Sequence, residues 1–175
     1  LKGFPSSILD IKNKLKWNSL IVVGIAINRS KISDFHWIYF PDDSIFHRVA
    51  IISNYSPNMA PKGKSSVLVE ITVPSAQVAR MNINNLIERT LEDLEKVKLI
   101  RKKEVLFAKA WIWNFAYVIN HLDYSRDLNL IMKFLDNLNL ISVGRWGSWR
   151  YLNMDSTIIN VKETLENKLF HRKIV

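Results

Sequence analysis

The sequence predicts an α+β fold in which about three helices pack on a mixed or mainly antiparallel sheet. Two observations support this prediction: strand-like segments cluster in the first half of the chain, and helix-like and strand-like segments alternate in the second half. Consecutive strands followed by an alternating tail are typical of helices packed against one sheet. The chain has 175 residues, enough for one domain that buries roughly 70% of its unfolded surface.

The first half of the chain is dominated by strand patterns. Residues 20–27 are β-branched and uninterrupted, as in a strand buried on both faces. Residues 66–73 alternate apolar and polar side chains, as in a strand with one buried face. Turn-forming residues at 41–44 join two further strands. The predicted elements are a helix at residues 8–15 and strands at 20–27, 36–40, 46–53 and 66–73, with a polar loop at 54–65.

The second half of the chain alternates between the two patterns. Its helices have apolar residues at helical spacing, and its longer strand is rich in aromatic residues. The predicted elements are helices at residues 84–99, 125–138 and 156–170 and strands at 105–119 and 138–143.

Polar residues mark where two of these helices begin. Asp123 or Ser125 provides a cap for the helix at 125–138, and for Asp123 this interpretation is favoured over a catalytic role. Asn153 and Asp155 are the start signals of the last helix.

The net charge of +9, from 25 basic and 16 acidic residues, requires an explanation. Clustered Lys and Arg side chains bind nucleic acid backbones, but here the basic residues are dispersed and no nucleic-acid recognition motif accompanies them. We therefore favour solvated helix faces and turns over nucleic acid binding. A small anionic ligand also suits a basic chain.

Several classes of protein are disfavoured by the composition. The chain has no cysteine, which excludes disulfides, thiolate metal sites and cysteine nucleophiles. The longest uncharged apolar stretch, residues 19–28, is shorter than the ~20 residues of a membrane helix. No signal peptide pattern is present. We expect a cytoplasmic protein.

Common catalytic and cofactor motifs are also missing. The glycines, at positions 3, 24, 63, 144 and 147, form neither a dinucleotide fingerprint nor a Walker loop. The histidines, at positions 36, 47, 121 and 171, lack metal-ligand spacing. No Gly-x-Ser-x-Gly elbow is present. The sequence therefore predicts no metal and names no catalytic residue.

A first candidate binding site lies in the predicted hairpin. If residues 36–40 form a strand, Trp37 and Tyr39 share one face, and the hairpin brings Arg48 beside them. Aromatic rings can stack on a base or a sugar while a guanidinium grips a diphosphate. The alternative is that Trp37 and Tyr39 pack in the core.

A second candidate site is the run from Gly144 to Asp155. Glycine, arginine and aromatic residues precede a helix start, where backbone N–H groups and the helix dipole favour an anion. Met154 lies at that helix start. Trp146 and Trp149 either belong to this site or fill the space between turn and sheet. A separate candidate is Tyr117 at the end of the long predicted strand, because ligand sites are common at sheet edges.

These motifs resemble a known family. The run Gly144 to Tyr151, continuing through Asn153-Met154-Asp155, resembles the C-terminal flavin motif of UDP-galactopyranose mutases and their relatives among the flavin-containing amine oxidases and protoporphyrinogen oxidases. The segments Trp37 to Pro41, Phe46 to Arg48 and Ser53 to Pro57 resemble the substrate-domain strands of the mutases.

The resemblance implies a role for each matching residue. For the cofactor FAD, it implies contacts from Gly144, Arg145, Asn153, Met154 and Asp155, with Arg145 against the pyrophosphate and the backbone of residues 153–155 near the flavin ring. For a nucleotide-sugar substrate, it implies that Arg48 and Tyr151 contact the diphosphate. The resemblance further implies that Trp37, Tyr39 and Tyr117 line the same cleft.

The resemblance also predicts the organisation of the chain. Because no dinucleotide fingerprint is present, we expect a fragment of a two-domain flavoprotein that lacks the N-terminal dinucleotide-binding half and holds an incomplete FAD site. Residues 1–143 would be the substrate-domain part and residues 144–175 the flavin-contacting turn and helix, together one compact unit.

Two functions remain open at this point. The first is the C-terminal part of an FAD-dependent mutase or oxidoreductase acting on a nucleotide sugar such as UDP-galactose, inactive in isolation. The alternative is a non-catalytic module that retains the fold and binds an anionic ligand or a partner protein.

Overall fold

The computed structural model describes residues 3–170. Within these residues the chain forms two compact units, one made of residues 18–116 and the other of residues 3–17 and 117–170. These are called the sheet-centred unit and the helical unit, respectively. The boundary at residue 143 stays a prediction. His171 lies outside the described residues.

One antiparallel sheet of five strands confirms the predicted α+β class. The strand order is β2-β3-β4-β1-β5. The central pair runs antiparallel from the pairing of Asn18 with Pro74 to that of Ile27 with Ser65. The strands are β1 (Lys16–Ile27), β2 (Trp37–Tyr39), β3 (Arg48–Ile51), β4 (Ser65–Pro74) and β5 (Val105–Ile119).

One face of the sheet carries the hydrophobic core of the sheet-centred unit. Alternate residues of β4, such as Val67, Val69 and Ile71, are at most 2% exposed, as the period of two along a strand requires. Leu86 and Leu94 of the helix that follows β4 join the same core. The polar residues of β4, including Glu70, therefore lie on the opposite face.

The structure contains four helices of nine residues or more and one short helical turn within the described residues. Asn82 caps α2, because its side-chain oxygen accepts a hydrogen bond from the N–H of Asn85 at 3.1 Å. The helices are α1 (Ser6–Lys14), α2 (Ile83–Lys96), α3 (Tyr124–Asn137), α4 (Gly144–Gly147) and α5 (Met154–Leu165), the last continued by a π-helical turn (Glu166–Phe170). Short 3₁₀ segments occupy Ile52–Asn54, Pro57–Met59, Ser75–Arg80 and Lys102–Glu104.

Aromatic and charged contacts join the elements of the helical unit. Phe4 packs against Phe134 of α3, with their ring centroids 5.2 Å apart. Asp127 is only 1% exposed, and its carboxylate lies 3.4 Å from Nζ of Lys14 at the end of α1. These contacts pack α1 against α3.

The predicted strand at residues 138–143 is wrong. Leu138 and Leu140 donate backbone hydrogen bonds back to Leu135 at 3.0 and 2.9 Å, and Asn139 has a φ of 56°. This is the left-handed termination that often ends a helix. The apolar residues at 140–143 pair with no strand. The run from Gly144 to Asp155 therefore does not follow a strand: it is preceded by α3 and a loop, begins with a short helical turn and ends at the start of the last helix.

Two smaller predictions also need correction. The strand predicted at 46–53 is limited to Arg48–Ile51, because a 3₁₀ turn begins at Ile52. Asp123 occupies the N-cap position of α3, but its side chain makes no capping hydrogen bond. It lies instead 3.1 Å from the guanidinium of Arg126.

Candidate functional site: two arginine–aromatic clusters

The first cluster, called here the Arg48 cluster, consists of Trp37, Tyr39, Arg48 and Glu70. The guanidinium carbon of Arg48 lies 4.2 Å from the centroid of the Trp37 ring and 5.7 Å from that of Tyr39. Its Nη1 donates to the hydroxyl of Tyr39 at 3.3 Å. Its Nη2 lies 2.6 Å from each carboxylate oxygen of Glu70. The guanidinium is thus held by a carboxylate and flanked by two aromatic rings.

Strand register brings these four residues together. Tyr39 pairs with Arg48 across β2 and β3, and Arg48 pairs with Glu70 across β3 and β4. Directly paired residues project from the same face of a sheet. Trp37 and Tyr39 are 48% and 62% exposed, so the alternative that they pack in the core is wrong.

The electrostatics of the Arg48 cluster centre on Glu70. The side chains of Arg48 and Glu70 are both largely buried, 14% and 13% exposed, and their opposite charges compensate each other. His47 Nε2 lies 3.8 Å from the same carboxylate. Burial lowers the pKa of His47 below its usual value, although Glu70 opposes this shift, and Arg48 lowers it further. Arg48, whose guanidinium stays protonated in proteins, is the cation of the cluster.

The second cluster, called here the Arg145 cluster, lies in the helical unit and consists of Tyr117, Arg145, Tyr151 and Leu152. The guanidinium carbon of Arg145 lies 4.5 Å from the ring centroid of Tyr151 and 5.6 Å from that of Tyr117. The two tyrosine rings are stacked, with centroids 5.9 Å apart and an interplanar angle of 23°. Nη1 of Arg145 donates to the carbonyl of Leu152 at 2.9 Å.

Hydrogen bonds fix the turn that carries Arg145. Gly144 has a φ of 79°, a conformation that glycine adopts without strain. Its N–H donates to the side chain of Asn160 in α5 at 2.9 Å. Ser142 Oγ donates to the carbonyl of Gly147 at 2.8 Å, and Ser148 Oγ donates to that of Gly144 at 2.7 Å. The short helix α4 is therefore tied to both its flanking segments.

The predicted residues Asn153, Met154 and Asp155 form the start of α5. Asn153 is the N-cap residue, but its side chain makes no capping hydrogen bond within the described part of the chain. Its carbonyl accepts from the N–H of Thr157 at 2.8 Å. Met154 is 86% exposed. The first turn of α5 is thus an exposed helix N-terminus that carries a carboxylate, Asp155.

The tryptophans of the same run pack against each other. The rings of Trp146 and Trp149 lie 5.5 Å apart, and Trp17 meets Trp149 edge-on at 6.0 Å. The hydroxyl of Tyr124 donates to the carbonyl of Trp149. These contacts support the space-filling interpretation of Trp146 and Trp149.

A cavity of about 370 Å³ lies beside Tyr151 in the helical unit. Burial raises the pKa of Tyr124, which lines it, and the neighbouring Arg150 opposes that shift. Asn120, Tyr124, Ser125, Leu128, Asn129, Arg150, Tyr151 and Leu152 line the cavity.

Sequence reasoning missed two residues that organise the clusters, Glu70 and Asn160. Glu70 carried a signal, because it is a charged residue at an outward position of an alternating strand. Asn160 carried none, because its role depends on the approach of Gly144 to α5.

The described residues contain neither a candidate metal site nor a helix that could span a membrane. Within residues 3–170, His, Asp and Glu form no group of three or more that could hold a metal ion. Over the same part of the chain, no helix has the length and apolar character needed to cross a membrane.

Comparisons with known proteins define the fold. No protein-family model matches the chain. The structure is similar to that of a reduced UDP-galactopyranose mutase, with a TM-score of 0.83 and 23% sequence identity over 94% of this chain. The chain has the fold of this part of a UDP-galactopyranose mutase. It spans about a third of the mutase's length, 36%.

Two further solved structures share the fold more distantly. One is a protein from Exiguobacterium sp. 255-15 described as a protoporphyrinogen oxidase, with a TM-score of 0.66 and 10% identity over 91% of this chain and 36% of its own. The other is an oxidoreductase from Methanosarcina mazei, with a TM-score of 0.51 and 19% identity over 66% of this chain and 27% of its own. The likeness predicted from the sequence motifs is thus confirmed at the level of the fold.

Proposed function

We propose that this chain is the substrate- and flavin-contacting part of an FAD-dependent mutase or oxidoreductase that acts on a nucleotide sugar such as UDP-galactose. The observation that carries the proposal is the Arg48 cluster, in which a guanidinium flanked by two exposed aromatic rings lies on the face of the sheet opposite the core. The mutase-like fold supports the choice of a nucleotide sugar.

The Arg48 cluster has the chemistry to bind a sugar diphosphate. A guanidinium forms charge-assisted hydrogen bonds to phosphate oxygens, and aromatic faces stack on sugars and bases. In this proposal Arg48 contacts the diphosphate, and Trp37 and Tyr39 line the cleft beside it. Tyr117 and Tyr151 contribute the substrate-facing rings of the helical unit.

The residues proposed to contact FAD fit an electron-rich or anionic group. The exposed N-terminus of α5 directs backbone N–H groups outward from Met154 and Asp155. The N–H of Gly144, a residue with positive φ, donates to Asn160 of α5, and Arg145 of α4 donates to the carbonyl of Leu152, the residue before Asn153. When bound, FAD supplies the flavin chemistry that the protein side chains lack. The role of this chain is to orient the cofactor and the substrate.

The proposal includes a partner domain with a dinucleotide-binding fold, either elsewhere in the same polypeptide or in another. Most contacts to FAD would come from that domain, so we expect this chain alone to be inactive and to bind FAD weakly. Cytoplasmic location stays a prediction.

Binding of UDP-galactose to variants of Arg48 tests the proposal. Arg48→Lys keeps the positive charge beside Glu70 but loses the planar fork, so affinity measured by ligand-observed NMR should fall about tenfold. Arg89→Lys is the matched control, because Arg89 is exposed on α2 in the same unit. Equal affinity in wild type, Arg48→Lys and Arg89→Lys favours the non-catalytic module instead.

Flavin fluorescence tests the expectation of an incomplete cofactor site. Titrating FAD with the chain should quench little of the flavin emission at micromolar protein, because this chain supplies only part of the site. Tight, stoichiometric quenching contradicts the requirement for a partner domain.

A further inference from the structure

A row of residues crosses the face of the sheet that carries Arg48. Trp37 pairs with Ala50, Ala50 pairs with Leu68, and Leu68 pairs with Gly24. All belong to the sheet-centred unit. Paired residues share a face, so the row runs from Trp37 over two aliphatic side chains to a glycine.

The far end of this row is covered by a second tryptophan, Trp111 of β5. A methyl group on Gly24 would lie 2.7 Å from Cζ3 of Trp111 and 3.3 Å from Cδ2 of Leu68. The ring of Trp111 therefore lies directly on the backbone of β1, a position that any larger residue at 24 would block. Trp111 remains 43% exposed.

The two ends of the row are alike in chemistry. At one end the Arg48 guanidinium lies 4.2 Å from the centroid of Trp37, and at the other Nζ of Lys109 lies 5.5 Å from that of Trp111. Trp37 and Gly24 are three strands apart, about 14 Å at the spacing of a β-sheet. The row is therefore a platform with an aromatic ring and a cation at each end.

We propose that Trp111 stacks against the sugar ring of a nucleotide sugar whose diphosphate lies at Arg48. This inference rests on the proposed function and extends its binding site to β5. The electron-rich face of an indole attracts the partially positive C–H groups of a sugar. The backbone groups beneath the row are used in the pairing of β1, β3 and β4, so the platform offers a ligand its aromatic faces and the cation at each end.

Gly24 is the positioning residue for Trp111 in this proposal. A side chain at position 24 must lift the ring away from the sheet. Gly24→Ala should therefore weaken sugar binding without removing any group that touches the ligand.

Affinities for UDP-galactose and for UDP, measured by ligand-observed NMR, separate the sugar from the rest of the ligand. Trp111→Ala should weaken UDP-galactose about three- to tenfold, the size of one aromatic stacking contact, and change UDP affinity less than about twofold. Trp111→Phe should retain most of the binding. Trp113→Ala is the matched control, because Trp113 is 60% exposed on the same face of the same strand.

Gly24→Ala should reproduce the selective loss of affinity for UDP-galactose and shift the indole N–H resonance of Trp111. A merely structural effect of Gly24→Ala would lower the thermal midpoint without affecting one ligand more than the other. Equal weakening of UDP and UDP-galactose in Trp111→Ala overturns the inference, as does an unchanged affinity for both. If the wild-type chain binds neither ligand, the proposed function falls and this inference with it.

Discussion

Nη2 of Arg48 lies 2.6 Å from both carboxylate oxygens of Glu70. Both side chains are largely buried, and the two residues are paired directly across β3 and β4. Glu70 therefore holds Arg48 against Trp37 and balances its charge. A diphosphate that binds Arg48 must share the guanidinium with this carboxylate, so Glu70 influences both stability and anion affinity.

Removing Glu70 should destabilise the fold. Glu70→Ala leaves the guanidinium of Arg48 largely buried without its carboxylate, a change that costs about 3 kcal/mol for buried pairs. Glu70→Gln keeps a hydrogen-bond acceptor and should cost less, about 1–2 kcal/mol. Urea unfolding measures both. Glu88→Gln, at an exposed position on α2, should stay within about 0.5 kcal/mol, and a comparable loss there would show that Glu70 has no special role.

The two glycines of α4 should resist substitution for different reasons. Gly144→Ala imposes a side chain on a residue with a φ of 79° and should cost about 1–2 kcal/mol. Gly147→Ala places a methyl group 3.3 Å from the backbone carbon of Ser142, so the segment carrying Ser142 must move. Thermal unfolding measures both effects. Gly63→Asn serves as a control, because Gly63 has open space around it and asparagine tolerates its φ of 77°.

Stability should fall in acid through Asp127. Hydrogen bonding from His121 holds the pKa of this buried carboxyl below its usual value, and Arg126 and Lys14 lower it further. A lowered folded-state pKa stabilises the fold above the unfolded-state pKa of ~3.9. That contribution is lost as the pH falls through 4 towards the folded-state pKa.

Urea unfolding between pH 6 and pH 3 tests the role of Asp127. Asp127→Asn should lose less stability over this range than the wild-type chain does, because its amide does not titrate. Asp123→Asn, at a half-exposed position in the same region, should keep the acid dependence of the wild type. An identical loss in Asp127→Asn and wild type would assign the acid sensitivity to other carboxyls.

A buried hydroxyl should link β1 to β5. Ser19 is fully buried, and its Oγ donates to the carbonyl of Asn114 at 2.8 Å. Ser19→Ala removes this donor and should cost about 1 kcal/mol, measured by urea unfolding. Ser66→Ala removes a longer, exposed hydrogen bond and should cost less. The reverse order contradicts this account.

Local patterns were sufficient for most elements. The strand predicted at residues 105–119 has those bounds in the structure, and the alternation in β4 correctly separated buried from outward positions. These predictions succeeded because burial on one face forces a period that is visible in the chain itself. The helical spacing of α2 worked for the same reason.

The same kind of pattern failed at residues 138–143. An apolar run becomes a strand only if a partner strand pairs with it, and here the chain instead closes α3 with a left-handed Asn139. The grouping of Trp37, Tyr39 and Arg48 followed from strand alternation, whereas the anchor at Glu70 required the register between β3 and β4. Likewise, the apposition of Trp111 and Gly24 depends on which strand lies beside β1.

Patterns in the amino-acid sequence were enough to predict the α+β class, the places of most helices and strands and the residue types gathered in the two arginine clusters. Its motifs also led to the fold shared with UDP-galactopyranose mutase. The tertiary structure alone decided the partners: Glu70 for Arg48, Leu152 for Arg145, and Gly24 for Trp111. Periodicity records which face of an element is buried, but contacts between residues distant in the chain depend on strand order and register, which no local pattern contains.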